Sequence, residues 1–390
     1  MKDHIFFLSA VFCFWFATYI YTPVFGVYLQ KIGFSYSIIG IILGSYGITQ
    51  IILRLPLGIL SDLLQGLRKQ LLIFGFFMAL VSSLLLIYFH SFVPILAARL
   101  LAGVTASMWV MATILYSQYF NTNRASQAMG TMQFLTVSAQ FISMAICGYL
   151  VNAFGWKFPF WVGAVASVIG IFFAWNIKEI KQNDSGQPLK LLHLIKATLS
   201  IPNLKIITFL CLIAHAVLFI TIFGFSPIYA AHLGIDEKAF VWVTCAFFIP
   251  HACSSLSLVF IKINMTYNKW ILGSCFCITA IFLIIVPYSK SLASLCLLHA
   301  IVGLALGFIF PLLLSQVVQI SSGELKMSAM GFYQSFYALG IFLGPMIAGK
   351  IAGSIGLNDV FYFTGIISMI AAVLVVFRAV GIGYSKDVNN

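Results

Sequence analysis

Twelve stretches of this 390-residue sequence are each apolar for twenty residues or more, and most are separated only by short polar breaks. A run of about 20 such residues is what a helix needs to cross ~30 Å of hydrocarbon. The runs cover approximately 5–29, 37–60, 70–90, 92–118, 127–152, 157–177, 205–231, 238–261, 269–288, 291–318, 328–353 and 359–382. Inside a bilayer each segment must satisfy its own backbone groups, and barrel strands would be shorter and would alternate, so the runs are predicted to be helices. With 62% hydrophobic and 8% charged residues, little remains to coat a water-facing surface. The run after Lys2 is too long for a secretion signal's apolar core and lacks a small-residue cleavage site, so it is expected to be retained as the first span.

The segment Ala128 to Phe160 recurs, without a gap, at Ala329 to Phe361, an offset of 201. Ala128/Ala329, Met129/Met330, Gly130/Gly331, Gln133/Gln334, Phe141/Phe342, Gly148/Gly349, Gly155/Gly356 and Phe160/Phe361 coincide, the mark of an internal duplication. Arg99 to Gly103 and His299 to Gly303 correspond 200 residues apart, and Pro23 matches Pro227. The expected organisation is an N-terminal six-helix bundle over 1–177, a linker over 178–204 and a C-terminal six-helix bundle over 205–390. An amphipathic piece around Leu191 to Leu199 is expected to lie along the inner leaflet. Parallel halves imply a pseudo-twofold axis along the membrane normal and a ligand site between them near the midplane.

The net charge of +12 is scattered over short loops, which excludes a nucleic-acid-binding domain and makes the charge a topological signal. With the N-terminus inside, most Lys and Arg fall on that side, opposed by Lys31, Lys157, Lys238, Lys290 and Lys350. The positive-inside rule therefore places both termini in the cytoplasm. All eight cysteines lie within spans, where neither a disulfide framework nor a zinc site is expected.

Gly58-Ile-Leu-Ser61-Asp62, followed by Gly66, Arg68 and Lys69, resembles the loop signature of the major facilitator superfamily. Arg99 with Gly103 resembles its fourth-helix motif, and Gly344-Pro345 with Gly349 its glycine-proline motif. Gln50, Arg54, Pro56, Gly58 and Asp62 are similar to its drug-efflux-like, twelve-span branch. The resemblance implies an all-α membrane protein that moves a small solute by alternating access. It also implies gating residues: Asp62 paired with Arg68, Lys69 or Arg124 as a cytoplasmic latch, and Gly344 with Pro345 in the eleventh helix. Leu63 replaces the usual arginine, one extra residue precedes Gly66, and Ser143 and Met144 stand where the fifth-helix glycine-proline pair is expected. Gly148, Gly340, Gly344 and Gly349 read most simply as close-packing residues.

Ionisable groups within the hydrocarbon are costly and so mark function. Here they are Arg54, Arg99, His215, His251 and His299, and all nine acids fall at span ends or in loops. A neutral-to-positive cavity suits an anionic or zwitterionic solute. The substrate-binding residues expected are Tyr19, Tyr21, Arg99, Trp109, His215, His251, His299, Gln334 and Tyr337, with Arg54 reaching towards the cytoplasmic interface. Half or fewer of the aromatics among them are expected to touch a ligand. Because the sequence has no phosphate-cradling loop, the expected driving force is an ion or solute gradient, with protons a candidate. The leading reading is ion-driven efflux across the plasma membrane by a monomer, without a cofactor, catalytic residues or metal. Proton-coupled uptake of an organic anion is the alternative, and a lipid flippase or intramembrane enzyme the alternative of another class.

Overall fold

The computed structural model describes residues 2–59, 65–117, 119, 125–178, 191–260, 265–321 and 325–378. Twelve helices within them are long and apolar enough to cross a membrane. They are α1 (Asp3–Lys31), α2 (Tyr36–Ile59), α3 (Arg68–Tyr88), α4 (Phe92–Tyr116), α5 (Ala125–Phe154) and α6 (Phe158–Trp175), then α7 (Leu204–His232), α8 (Phe240–Phe260), α9 (Met265–Ile285), α10 (Leu292–Ile320), α11 (Leu325–Ser354) and α12 (Leu357–Arg378). Twelve crossings bring the start of α1 and the end of α12 to one face, called here the terminal face; the other is the distal face.

Three spans are not uniform α-helices. The first breaks at Ile20 and Tyr21, just before Pro23, and α7 carries a π-helical turn over Thr221–Phe225 just before Pro227. Each proline withholds an N–H from the ladder, so the freed carbonyls one turn earlier loosen the winding. The third irregularity is at Met108, where α4 pauses between Ser107 and Trp109.

The duplication is visible in the backbone. After α1, Phe34 N–H donates to Leu29 carbonyl (3.1 Å) and Gly33 N–H to Gln30 (3.0 Å), with Gly33 at φ 98°. After α7, Ile235 donates to Ala230 (3.1 Å) and Gly234 to Ala231 (2.9 Å), with Gly234 at φ 77°. These are one helix stop written twice, 201 residues apart, and the left-handed position admits glycine without a Cβ clash.

Each set of six helices packs mainly on itself, through pairs such as α4 with α3 and α10 with α8, while α2 against α11 is the most extensive contact of all. The two sets meet closely on the distal side. A Cβ on Gly40 would stand 2.3 Å from the Pro345 carbonyl oxygen and 2.8 Å from Gly349 Cα, so α2 and α11 touch backbone to backbone. Gly44 and Gly47 continue the seam against Phe342 and Ala338. Gly26 meets Gly224 and Ile228 of α7, and Gly148 meets the backbone of Glu237 before α8. Towards the terminal face, the first stretch of α1 (Lys2–Tyr19) and the last of α4 (Trp109–Ser117) pack chiefly on their own half.

A helix at Leu191–Leu199 connects the halves. Its last turn docks on α11: the buried Thr198 hydroxyl donates to Ser328 Oγ at 2.7 Å. At the same face, Tyr119 donates to the Lys178 carbonyl (2.5 Å), tying the end of α4 to the end of α6. Burial and the Asp3 carboxylate push its phenol up to about 12, so it remains a donor.

Candidate functional site

Helices α2, α7, α8, α10 and α11 bring a row of polar and aromatic groups to mid-depth. The Arg54 Cα stands at the terminal end of the second span's apolar run. Its side chain does not turn to that interface, as the sequence suggests. It is 4% exposed, donates from Nη1 to the Tyr337 hydroxyl across the two halves, and reaches from Nη2 to the Ala106 carbonyl (3.5 Å). Tyr337 and Ala106 lie nine and ten residues from the terminal ends of their spans, so the guanidinium sits ~13–15 Å into the membrane. The reason is the tyrosine: a guanidinium finds both a hydroxyl acceptor and a ring face there, with its carbon 5.2 Å from the ring centroid.

Tyr337 in turn stacks flat on His215, centroids 3.9 Å apart and planes 4° from parallel. His215 Nδ1 lies 3.0 Å from the Cys211 carbonyl one turn earlier, which makes Nδ1 the donor and leaves Nε2 as acceptor. Phe310 packs edge-on to His215 (4.7 Å) and links it to His251 (5.9 Å), whose Nδ1 is buried without a hydrogen-bond partner. Gln334 lies one turn from Tyr337 on α11 and is partly buried. Arg54 Nε is also buried and unpartnered, and Arg54 has no acidic partner among the described residues. The chemistry on offer is a fixed cation with an unsatisfied donor beside a neutral, hydrogen-bonding aromatic wall.

Arg99 is a separate case. It lies seven residues into α4 from the distal side, ~10 Å deep. Nη1 donates to the Tyr21 hydroxyl (3.2 Å), and the guanidinium carbon lies 4.8, 5.3 and 5.9 Å from the rings of Tyr46, Phe25 and Tyr21. Tyr19, Phe219 and Phe223 line the small cavity beside it, with Tyr19 and Phe223 in edge contact at 5.3 Å.

His299 does not join either group. Its Nδ1 uses the Leu295 carbonyl (2.9 Å) and its Nε2 accepts from Ser226 (2.7 Å), a fully engaged buried bond tying α10 to α7. Trp109 lies half-buried at the α4 break against Trp15 (5.1 Å) and Phe14 (6.4 Å), an aromatic cluster of the first half. Of the expected gate, Asp62 and Arg124 lie outside the described residues; Arg68 is buried at the start of α3 and Lys69 partly so. Gly344 does pack closely: a Cβ there would be 3.1 Å from Ala216 of α7, while Pro345 lies within the continuous α11. Sequence reasoning missed Tyr46 and Phe310 and left Arg54 out of the site. The spacing Tyr46, Gln50, Arg54 was the available signal, since i, i+4, i+8 puts them on one face of α2.

A twelve-span bundle, doubled and enclosing polar groups at mid-depth, defines a membrane transporter of the alternating-access type in architecture. The family model described as Major Facilitator Superfamily matches residues 7–261 and again 208–383, and the chain belongs to that family. It is 22% identical over 370 residues to the uncharacterised MFS-type transporter MJ1560 of Methanocaldococcus jannaschii, covering 91% of this chain and 92% of that one. To the quinolone resistance protein NorA of Staphylococcus aureus it is 23% identical over 344 residues, 84% of each chain. The crystal structure of a mutant of the nucleoside transporter NupG superposes with a TM-score of 0.76 at 15% identity, covering 96% of this chain and 99% of that one. The protein is a multi-pass membrane transporter of small molecules.

Proposed function

We propose that this protein is a secondary active transporter for a small organic solute bearing an anionic group, which binds between the halves against Arg54, Tyr337 and His215, with His251 and Gln334 beside them. The observation that carries the reading is Arg54: a buried guanidinium at mid-depth, shared between the halves, with an unsatisfied Nε and no carboxylate partner among the described residues. A planar anion can take the fork of donors that a lone hydroxyl leaves open. The distal seam of Gly40, Gly44, Gly47 and Gly349 supports a state closed on that face, so the solute would enter and leave this state from the terminal face. Charge distribution supports the terminal face as cytoplasmic, and the plasma membrane is the location we propose.

The direction we favour is efflux, supported by kinship to NorA. Proton-coupled uptake is the second reading. It is favoured by Ser143 and Met144, which stand in α5 where an antiport glycine-proline pair is expected, and by the fold shared with NupG. A monomer contains every residue of the proposed site.

Purified protein in proteoliposomes, given anionic, zwitterionic and cationic metabolites of similar size under an imposed pH gradient, tests both points. Transport confined to anionic or zwitterionic solutes supports the reading, and movement of cations alone overturns it. Solute and proton fluxes in opposite directions mark efflux by antiport; fluxes in the same direction mark symport.

A further inference from the structure

We propose that the cavity beside Arg99 is a second binding site, for a monovalent inorganic anion of the halide size class, distinct from the solute site at Arg54. The cavity measures about 10 Å³, room for roughly one water-sized particle and far too little for an organic solute. Arg99, Thr18, Thr22, Tyr19 and Tyr46 supply its polar lining, and Phe25, Leu43, Phe219 and Phe223 its apolar walls.

Three independent features point to negative charge. Arg99 is 6% exposed, its Nε has no hydrogen-bond partner, and it has no acidic partner among the described residues. Nη1 has the Tyr21 hydroxyl (3.2 Å) and the ring faces of Tyr46 and Phe25 answer part of the charge, which leaves Nε in need of an acceptor. Next, the break at Ile20 and Tyr21 restarts the first span at Thr22, so the ten-residue helix Thr22–Lys31 begins at the cavity wall with no side-chain cap. Pro23 has no N–H and the Val24 N–H already donates to the Tyr21 carbonyl (3.3 Å), so what this turn offers the cavity is the Thr22 N–H. Finally, the Thr22 hydroxyl has no protein partner among the described residues and can rotate to donate. Size excludes sulfate and phosphate; the absence of a lining acid removes the case for a metal cation. A bound halide would neutralise Arg99 where Thr22 and Tyr46 of the first half meet Phe219 and Phe223 of the second, so the site would favour contact between the halves there.

The test uses full-length protein in detergent and ³⁶Cl⁻ in a scintillation proximity assay at constant ionic strength held with gluconate. Expected are saturable binding near one per chain, displacement by bromide, and a loss in affinity of at least ~10-fold in Arg99→Gln. Arg54→Gln should keep the wild-type affinity within ~2-fold, which separates this site from the solute site whether or not that reading holds. Absence of saturable binding, or undiminished binding in Arg99→Gln, overturns the proposal. Should Arg99→Gln fail to fold, Thr22→Val decides: unchanged affinity overturns the proposal, and a ~3–10-fold loss supports it. Competition between ³⁶Cl⁻ and a transported anion that persists in Arg54→Gln would reassign the cavity to the solute's own anionic group and overturn the inorganic-anion reading.

Discussion

At the scale of the residue, two arginines of similar burial have different surroundings, and the difference lies in what stands beside them. Arg54 is caught at the junction of the halves by Tyr337; Arg99 is enclosed by Tyr46, Phe25 and Tyr21 in the first half. Arg54→Gln is expected to weaken solute binding ~10-fold or more while the protein inserts normally, and Arg54→Lys to recover part of it, since an ammonium keeps the charge and loses the fork. Measured half-saturation of transport checks both. His299→Phe should instead cost about 1–3 kcal/mol of stability, because Ser226 loses its buried partner, and leave half-saturation unchanged. A thermal melt with a transport curve separates the two effects. The sequence placed these ionisable groups in apolar spans, since hydropathy reads one residue at a time, but it led to the expectation that Arg54 reaches the cytoplasmic interface. It did not show which histidine would be consumed in packing, because that depends on Ser226 lying 73 positions away.

At the scale of the element, glycine decides where the halves touch. The α2–α11 seam has backbone against backbone at Gly40 and Gly349, and a Cβ at Gly40 has no room. Gly40→Val is therefore expected to hold the distal side apart and to lower transport ~10-fold or more. A cysteine in place of Ser37, which faces Gly349 and Gly353 across this seam, would react faster with a membrane-impermeant thiol reagent in the Gly40→Val background than alone. Equal rates in the two backgrounds would contradict this. Pro23 and Pro227 were legible as a repeated pair, though not as the sites where α1 and α7 lose regular winding, and Gly349 was legible as a packing residue. Its partner Gly40 was not, because nothing local marks a glycine in an apolar helix as facing another helix. The connecting helix was read correctly as amphipathic, but its docking through Thr198 depends on Ser328 and so on tertiary contact.

At the scale of the whole molecule, a duplicated sequence became a duplicated backbone, down to matching helix stops at Gly33 and Gly234. Span number, order and family were legible because hydrocarbon thickness and backbone satisfaction leave few alternatives. The functional state was not, since two conformations of one carrier share every hydropathy feature. Orientation makes its own prediction: a pH-sensitive fluorescent protein fused after Asn390 should report cytoplasmic rather than external pH.

The most direct measurement is ligand-dependent thermal stability of wild-type and Arg54→Gln protein across size-matched anionic, zwitterionic and cationic metabolites. A site built on an acid-free guanidinium at mid-depth predicts stabilisation of the wild type by at least one anionic or zwitterionic compound, with the shift lost in Arg54→Gln. Stabilisation by cations alone, or an equal shift in both proteins, would contradict it.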